Sequence, residues 1–183
     1  CDCYVIHLKS KRSGVSRDDM SESGLQGGPD FVARQVLGWW ASSLQRGSES
    51  ALLCHQMLMR RQQSQQPFML MGDFNDDPKS ASIKSLMGTK VLYNPMEKLI
   101  SHERGSANYK RKWSLFDQII ISHNFLNYEK GTHSFIEANI FDQHFLTEFD
   151  GKHKGNPYRT YVGRKYVGGY SDHFPVFVQL KLN

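Results

Sequence analysis

Apolar residues recur along this chain in two rhythms, and the changes between them predict its elements. From Cys3 to Leu8 the run Cys-Tyr-Val-Ile-His-Leu is rich in β-formers and alternates loosely, predicting a strand that ends at His7-Leu8. Lys9 to Pro29 carries Ser, Gly and Asp and closes on Gly27-Gly28-Pro29, the composition of a loop. Asp30 offers a cap to a following helix. Leu37, Trp40, Ala41 and Leu44 then fall at i, i+3, i+4 and i+7, which predicts one apolar helical face. A second helical stretch is expected from about Glu49 to Gln63, ending in the polar run Arg60 to Gln66 and broken by Pro67.

After Pro67 the short apolar run 68–71 predicts a buried strand, and Lys79 to Met87 a short helix. Residues 88–112 read as hairpin and loop with a basic tip at Lys110-Arg111-Lys112. Leu115 to Ser122 is the clearest strand pattern, 133–141 a weaker one, and Phe174 to Leu182 the last. Between them, Asp150 to Gly169 is rich in Gly, Lys and aromatics and reads as loop. Helices and strands alternate in the first half and strands dominate the second, so the expected class is a mixed α/β sandwich.

Composition narrows the picture. The 183 residues suit one domain with a proper core, and 39% hydrophobic residues place the chain among globular proteins. No apolar run approaches the roughly 20 residues that cross a bilayer, and nothing at the start reads as a signal peptide. A formal net charge of +5 favours anionic partners. Cys1, Cys3 and Cys54 show no zinc spacing and are expected to be free thiols, with Cys54 in a helix.

The chemistry concentrates at a few strand ends. Met71-Gly72-Asp73-Phe74-Asn75-Asp76-Asp77-Pro78 follows the apolar run directly, and in extended backbone Asp73 and Asn75 share a side. Oxygen ligands so placed suit a hard cation such as Mg²⁺, although the same residues make good Asx-turn chemistry. Asp117 interrupts an apolar run, and a buried carboxylate there needs a partner; an outward-facing position on a half-exposed strand is the alternative. Asp172 and His173 precede the last strand, where a turn would let both reach one cavity and let Asp117 hold the His173 ring. His7 ends the first strand with Ser10, Arg12 and Gly14 close behind, an imidazole and a guanidinium suited to phosphate oxygens. Ser171-Asp172-His173 cannot form a serine-hydrolase triad, because consecutive residues cannot stack nucleophile, base and orienter in line.

A strand ending in His7, then Gly72-Asp73-Phe74-Asn75, Phe116-Asp117-Gln118-Ile119 and Ser171-Asp172-His173-Phe174-Pro175, resembles the endonuclease/exonuclease/phosphatase superfamily of deoxyribonuclease-like, metal-dependent phosphoesterases. The resemblance implies a four-layer αββα sandwich and Mg²⁺-dependent, nuclease-like hydrolysis of phosphodiesters, with Mn²⁺ or Ca²⁺ as substitutes for Mg²⁺. It implies a metal site of Asp73, Asn75 and Asp172, catalytic roles for His7, Asp73, Asn75, Asp117 and His173, and phosphate contacts from Arg12, Asn75 and His173. Members of this superfamily carry an Asn and a Glu for the main metal in their first half, which has no counterpart here. Residues 1–183 are therefore expected to be the C-terminal two-thirds of such a domain, binding metal weakly and leaving an apolar inner sheet face exposed. Basic clusters at Lys9-Lys11-Arg12, Lys110-Arg111-Lys112 and Arg159-Arg164-Lys165, the last interleaved with tyrosines, favour nucleic acid over lipid or inositol phosphodiesters. The alternative is a non-catalytic module of the same fold that binds nucleic acid or a partner protein.

Overall fold

The computed structural model describes residues 1–14 and 29–183, without the side chains of Pro29 and Asp30. Most of the loop expected before the first helix, and the expected Asp30 cap, lie outside the described residues. In chain order the elements are β1 (Asp2–His7), α1 (Pro29–Gln63), β2 (Phe68–Asp73), α2 (Ala81–Met87), β3 (Leu92–Tyr93), β4 (Ala107–Tyr109) and β5 (Lys112–Ser114). They continue with β6 (Asp117–Ser122), β7 (His133–Ile140), β8 (Tyr161–Val162), β9 (Lys165–Tyr166) and β10 (Val176–Leu182).

A mixed sheet in the order β1-β2-β6-β3 organises the molecule, with β1 parallel to β2 and the other pairs antiparallel. Alternation along the strands divides its side chains between two faces. On one face Phe68, Leu70 and Ile120 pack with Leu53 and Met57 of α1 and with Ile83 and Leu86 of α2. Each such side chain, removed from water, contributes about 1.5–3 kcal/mol. On the other face Met69 and Ile121 meet Phe135 of β7 and Leu180 of β10, which form an antiparallel pair. The result is helix, sheet and sheet in layers. The second pair of strands covers the inner face over β2 and β6, so apolar exposure on that face is confined to edge strand β1, where Val5 is 83% exposed. This is narrower than the sequence led us to expect.

Helix α1 departs further from expectation. It is one helix of 35 residues rather than two. Its predicted apolar face is turned outward, with Leu37, Trp40 and Leu44 exposed by 68%, 65% and 67%, while Ser42, Arg46 and Ser50 are buried. The reason lies in what the helix packs against. Its first half lies on the backbone of the segment after β1, where Ser42 Oγ donates to the Arg12 carbonyl (2.6 Å) and Arg46 Nη1 to the carbonyls of Lys9 and Ser10 (both 3.3 Å). Carbonyl oxygens leaving water need donors rather than methyl groups. Only at Leu53 and Met57 does α1 reach the sheet and become apolar inside.

Other boundaries moved by a residue or two, and the loop expected from Asp150 to Gly169 contains the β8–β9 hairpin. The three cysteines are free, with Cys54 half-buried in α1. Among the described residues no helix is long and apolar enough to cross a membrane.

Gly72 makes the close approach of β1 and β2 feasible: its φ is +138°, and an added Cβ would stand 2.1 Å from the Ile6 carbonyl oxygen. Gly72→Ala is expected to destabilise the fold by about 2–3 kcal/mol. Gly47→Ala, with nothing near the added methyl in the exposed middle of α1, should stabilise it by about 0.5–1 kcal/mol. Urea unfolding midpoints should therefore move in opposite directions, and equal shifts would contradict the packing described.

Candidate active site

Strand direction assembles the site. Parallel β1 and β2 bring their last residues, His7 and Asp73, to the same end of the sheet, and antiparallel β6 delivers its first residue, Asp117, to that end. The register pairs His7 with Asp73 and Asp73 with Asp117, so the three side chains form a row on one face. The segment before β10 joins them: His173 bridges Ala107, and Phe174 N–H donates to the Ser106 carbonyl at 2.7 Å. This seats His173 Nδ1 2.7 Å from Asp117 Oδ2. With Asp117 accepting from Nδ1–H, Nε2 is left to exchange protons or hydrogen bonds with a ligand.

The turn after β2 is held from several sides. Asp73 Oδ1 accepts from the Asn75 N–H at 2.7 Å, the Asx geometry the sequence allows, and Asn75 sits at φ 49°. Asn75 Nδ2 gives one hydrogen to the Leu8 carbonyl (2.9 Å), which leaves its second amide hydrogen and its Oδ1 uncommitted to that bond. Beyond it, Asp76 accepts from Ser82 Oγ (2.7 Å) and pairs with Lys11 Nζ (2.8 Å) and Arg46 Nε (3.4 Å). Burial works to raise the Asp76 pKa, but the hydrogen bonds from Lys11 and Ser82 and the charges of Lys11 and Arg46 outweigh it and hold the group below its ordinary value. Sequence reading missed this network. A carboxylate in a Gly-Asp-Phe-Asn-Asp-Asp-Pro turn reads as solvated, and an arginine in a helix gives no sign of facing inward.

An open cleft of about 520 Å³ is lined by His7, Ser10, Arg12, Asp73, Asn75, Asp117, Ser171, Asp172 and His173. The structure thus brings all seven sequence-selected residues together and adds two serines, of which Ser171 Oγ accepts from the His173 N–H (3.1 Å). His7 is mostly exposed, with Nε2 3.8 Å from Asp73 Oδ2. Burial pushes the Asp73 carboxyl above its ordinary pKa, and the Asp117 charge adds to this, against the Asn75 N–H and the two imidazoles. The hydrogen bond to Asp117 raises His173 above 6.5 despite partial burial, helped by the charges of Asp117, Asp172 and Asp73.

Among the described residues no group of three or more His, Cys, Asp and Glu is arranged to hold a metal ion. Mg²⁺, however, commonly takes one or two carboxylates and fills its shell with water and substrate phosphate. Asp73, Asp172 and Asn75 line the same cleft and offer oxygen donors to it, and the repulsion of Asp73 by Asp117 is what a divalent cation relieves. The residues therefore fit a cation held by one or two direct carboxylates rather than a closed protein cage.

Residues 39–182 match the Endonuclease/Exonuclease/phosphatase family, and the chain belongs to that family. Among solved structures it is similar to an endonuclease/exonuclease/phosphatase family protein from Bacteroides thetaiotaomicron, at 22% identity and TM-score 0.46 over 76% of this chain and 44% of that one. It is similar to a mannosyl-6-phosphatase from Bacteroides thetaiotaomicron VPI-5482, at 21% identity and TM-score 0.48 over 75% and 46% of the two chains. Against SmcL the values are 10% identity and TM-score 0.50 over 94% and 52%. The fold is the deoxyribonuclease-like sandwich of the family, and the chain spans about half the length of these structures. No curated protein matches it.

The His173–Asp117 bond has a pH signature. Because the folded pKa of His173 is raised, its stabilisation is complete below pH 6.5 and is lost as pH rises through the higher folded value. NMR titration of the His173 ring should give a pKa above 6.5, and Asp117→Asn should lower it. An unchanged pKa in Asp117→Asn would show that the bond is not formed in solution.

Proposed function

We propose that this member of the endonuclease/exonuclease/phosphatase family hydrolyses phosphate diesters, nuclease-like, with Mg²⁺ as the favoured cation and Mn²⁺ or Ca²⁺ as substitutes. The observation that carries this reading is the row His7–Asp73–Asp117 across three strands, with His173 seated on Asp117 and Arg12 in the same cleft. Asp117 fixes the ring of His173 and favours its charged form, so the imidazolium can donate from Nε2 to a phosphoryl or leaving-group oxygen. Asp73 serves either as the base for an attacking water, for which burial increases its proton affinity, or as a ligand of the cation. Arg12 and the free amide hydrogen of Asn75 hold the phosphate. A cation held by Asp73 and Asp172 would stabilise charge developing on the phosphoryl oxygens.

A second reading rests on one observation, the lack of a three-ligand metal group among the described residues. On that reading the chain keeps the fold and binds nucleic acid or a partner protein without turnover.

Hydrolysis by the whole gene product in Mg²⁺, screened over plasmid DNA, RNA, sphingomyelin and bis-p-nitrophenyl phosphate, separates the two. Asp73→Ala and His173→Ala are each expected to lower the rate by about 10²–10⁴-fold. Wild-type rates in both variants would end the assignment of these residues, and binding without hydrolysis of any substrate would establish the second reading.

A further inference from the structure

Two short hairpins rise from the rim of the cleft. β4–β5 is rooted where Ala107 bridges His173, and its tip begins two residues further on, about 7 Å along the strand. β8–β9 is rooted where the Tyr158 carbonyl accepts from the N–H groups of Tyr170 (2.7 Å) and Ser171 (3.2 Å), immediately before Asp172. Arg159 Nη2 reaches the Asn108 carbonyl at 3.5 Å, tying one hairpin to the other. Both therefore grow from backbone that carries the site.

The tips share a chemistry. Tyr109, Tyr161 and Tyr166 are 70%, 58% and 64% exposed, and each stands beside cations: Lys110-Arg111-Lys112 on one hairpin, Arg164-Lys165 on the other. No carboxylate pairs with these five cations among the described residues. Lys110 and Arg111 both hold positive φ, 51° and 66°, at the centre of a two-residue turn where Asn-Gly would fit without strain. The fold thus spends backbone strain on placing two charges at an apex.

We infer that these hairpins hold an unpaired stretch of nucleic acid across the cleft, their cations on its phosphates and their tyrosine rings on its bases. This rests on the phosphodiester reading and names its substrate as single-stranded. Exposed rings need open base faces, which a duplex hides within its stack. A membrane surface fits less well: its anionic headgroups would meet the same cations, but they offer the exposed tyrosine rings no planar face to stack on.

The test uses the whole gene product with a fluorescein-labelled fifteen-nucleotide oligo-dT in EDTA, so that binding is read without hydrolysis. Anisotropy should show binding that falls with salt, and Lys110→Ser with Arg111→Ser should reduce the log–log salt slope by about 1.4, or 0.7 for each phosphate no longer neutralised. Tyr166→Ala should weaken binding about 10-fold with the salt slope kept. Circular dichroism melts of the variants matching the parent would confirm that only the tips have changed. Equal affinity for the matching duplex, an unchanged slope in the double variant, or preferential binding to phosphatidylserine vesicles would each overturn the inference. If bis-p-nitrophenyl phosphate is still hydrolysed in that event, the hairpin assignment has failed and the catalytic one has not. Strand binding without any hydrolysis would be the reverse.

Discussion

Asp73 and Asp117 stand opposite one another at the ends of adjacent strands, and carboxylates so placed repel. Their backbone positions are fixed by the same sheet register that buries Leu70 and Ile120. The neighbourhood is organised by how that repulsion is met. Asp117 accepts from His173, Asp73 from the Asn75 N–H, and His7 stands 3.8 Å from Asp73. The compensation is incomplete, since burial still leaves Asp73 with a raised proton affinity. A site left electron-rich in this way draws in either a proton or a cation, and both are useful beside a phosphate ester.

The same constraint explains the polar interior of α1. The turn carrying Asp73 and Asn75 has to be fixed, and the residue that fixes it is a third carboxylate, Asp76, itself compensated by Lys11, Arg46 and Ser82. Arg46 also donates to the Lys9 and Ser10 carbonyls, while Glu49 accepts from the Lys9 N–H at 2.8 Å. One helix thereby secures both the turn after β2 and the segment that brings Ser10 and Arg12 to the cleft. Replacing its inner face with leucines would satisfy the apolar periodicity and leave those carbonyls without donors.

Much of this was legible in the residues. β2, β6 and β10 announce themselves as apolar runs, and Asp117 stood out because a carboxylate in such a run must be compensated. Its compensation by His173, fifty-six positions away in the chain, is the contact the structure shows. What sequence reasoning lost was context. It gave Leu37, Trp40, Ala41 and Leu44 one apolar helical face, and periodicity alone does not say what such a face meets: the side of α1 turned inward meets loop backbone, and these residues are left outside. It divided α1 near Gly47, where an exposed glycine weakens a helix without ending it. It read β8–β9 as loop because strands of two residues fall below the length at which alternation can be recognised.

Charge placement links the site to its surroundings. Asp73, Asp117 and Asp172 line a cleft that is read as taking a phosphate, and alone they would repel it. His173, His7 and Arg12 offset this at short range, but near a partly exposed site their field is screened within about 8–10 Å in physiological salt. Attraction of a polyanion from further out needs cations that project into solvent, and the two hairpins supply them without placing positive charge where a metal would bind. The chain's formal charge of +5 is thus not spread evenly. Asp73, Asp117 and Asp172 gather in the cleft, and Lys110, Arg111, Lys112, Arg164 and Lys165 gather on two hairpins; on the proposed function the first group works on the phosphate and the second holds the strand.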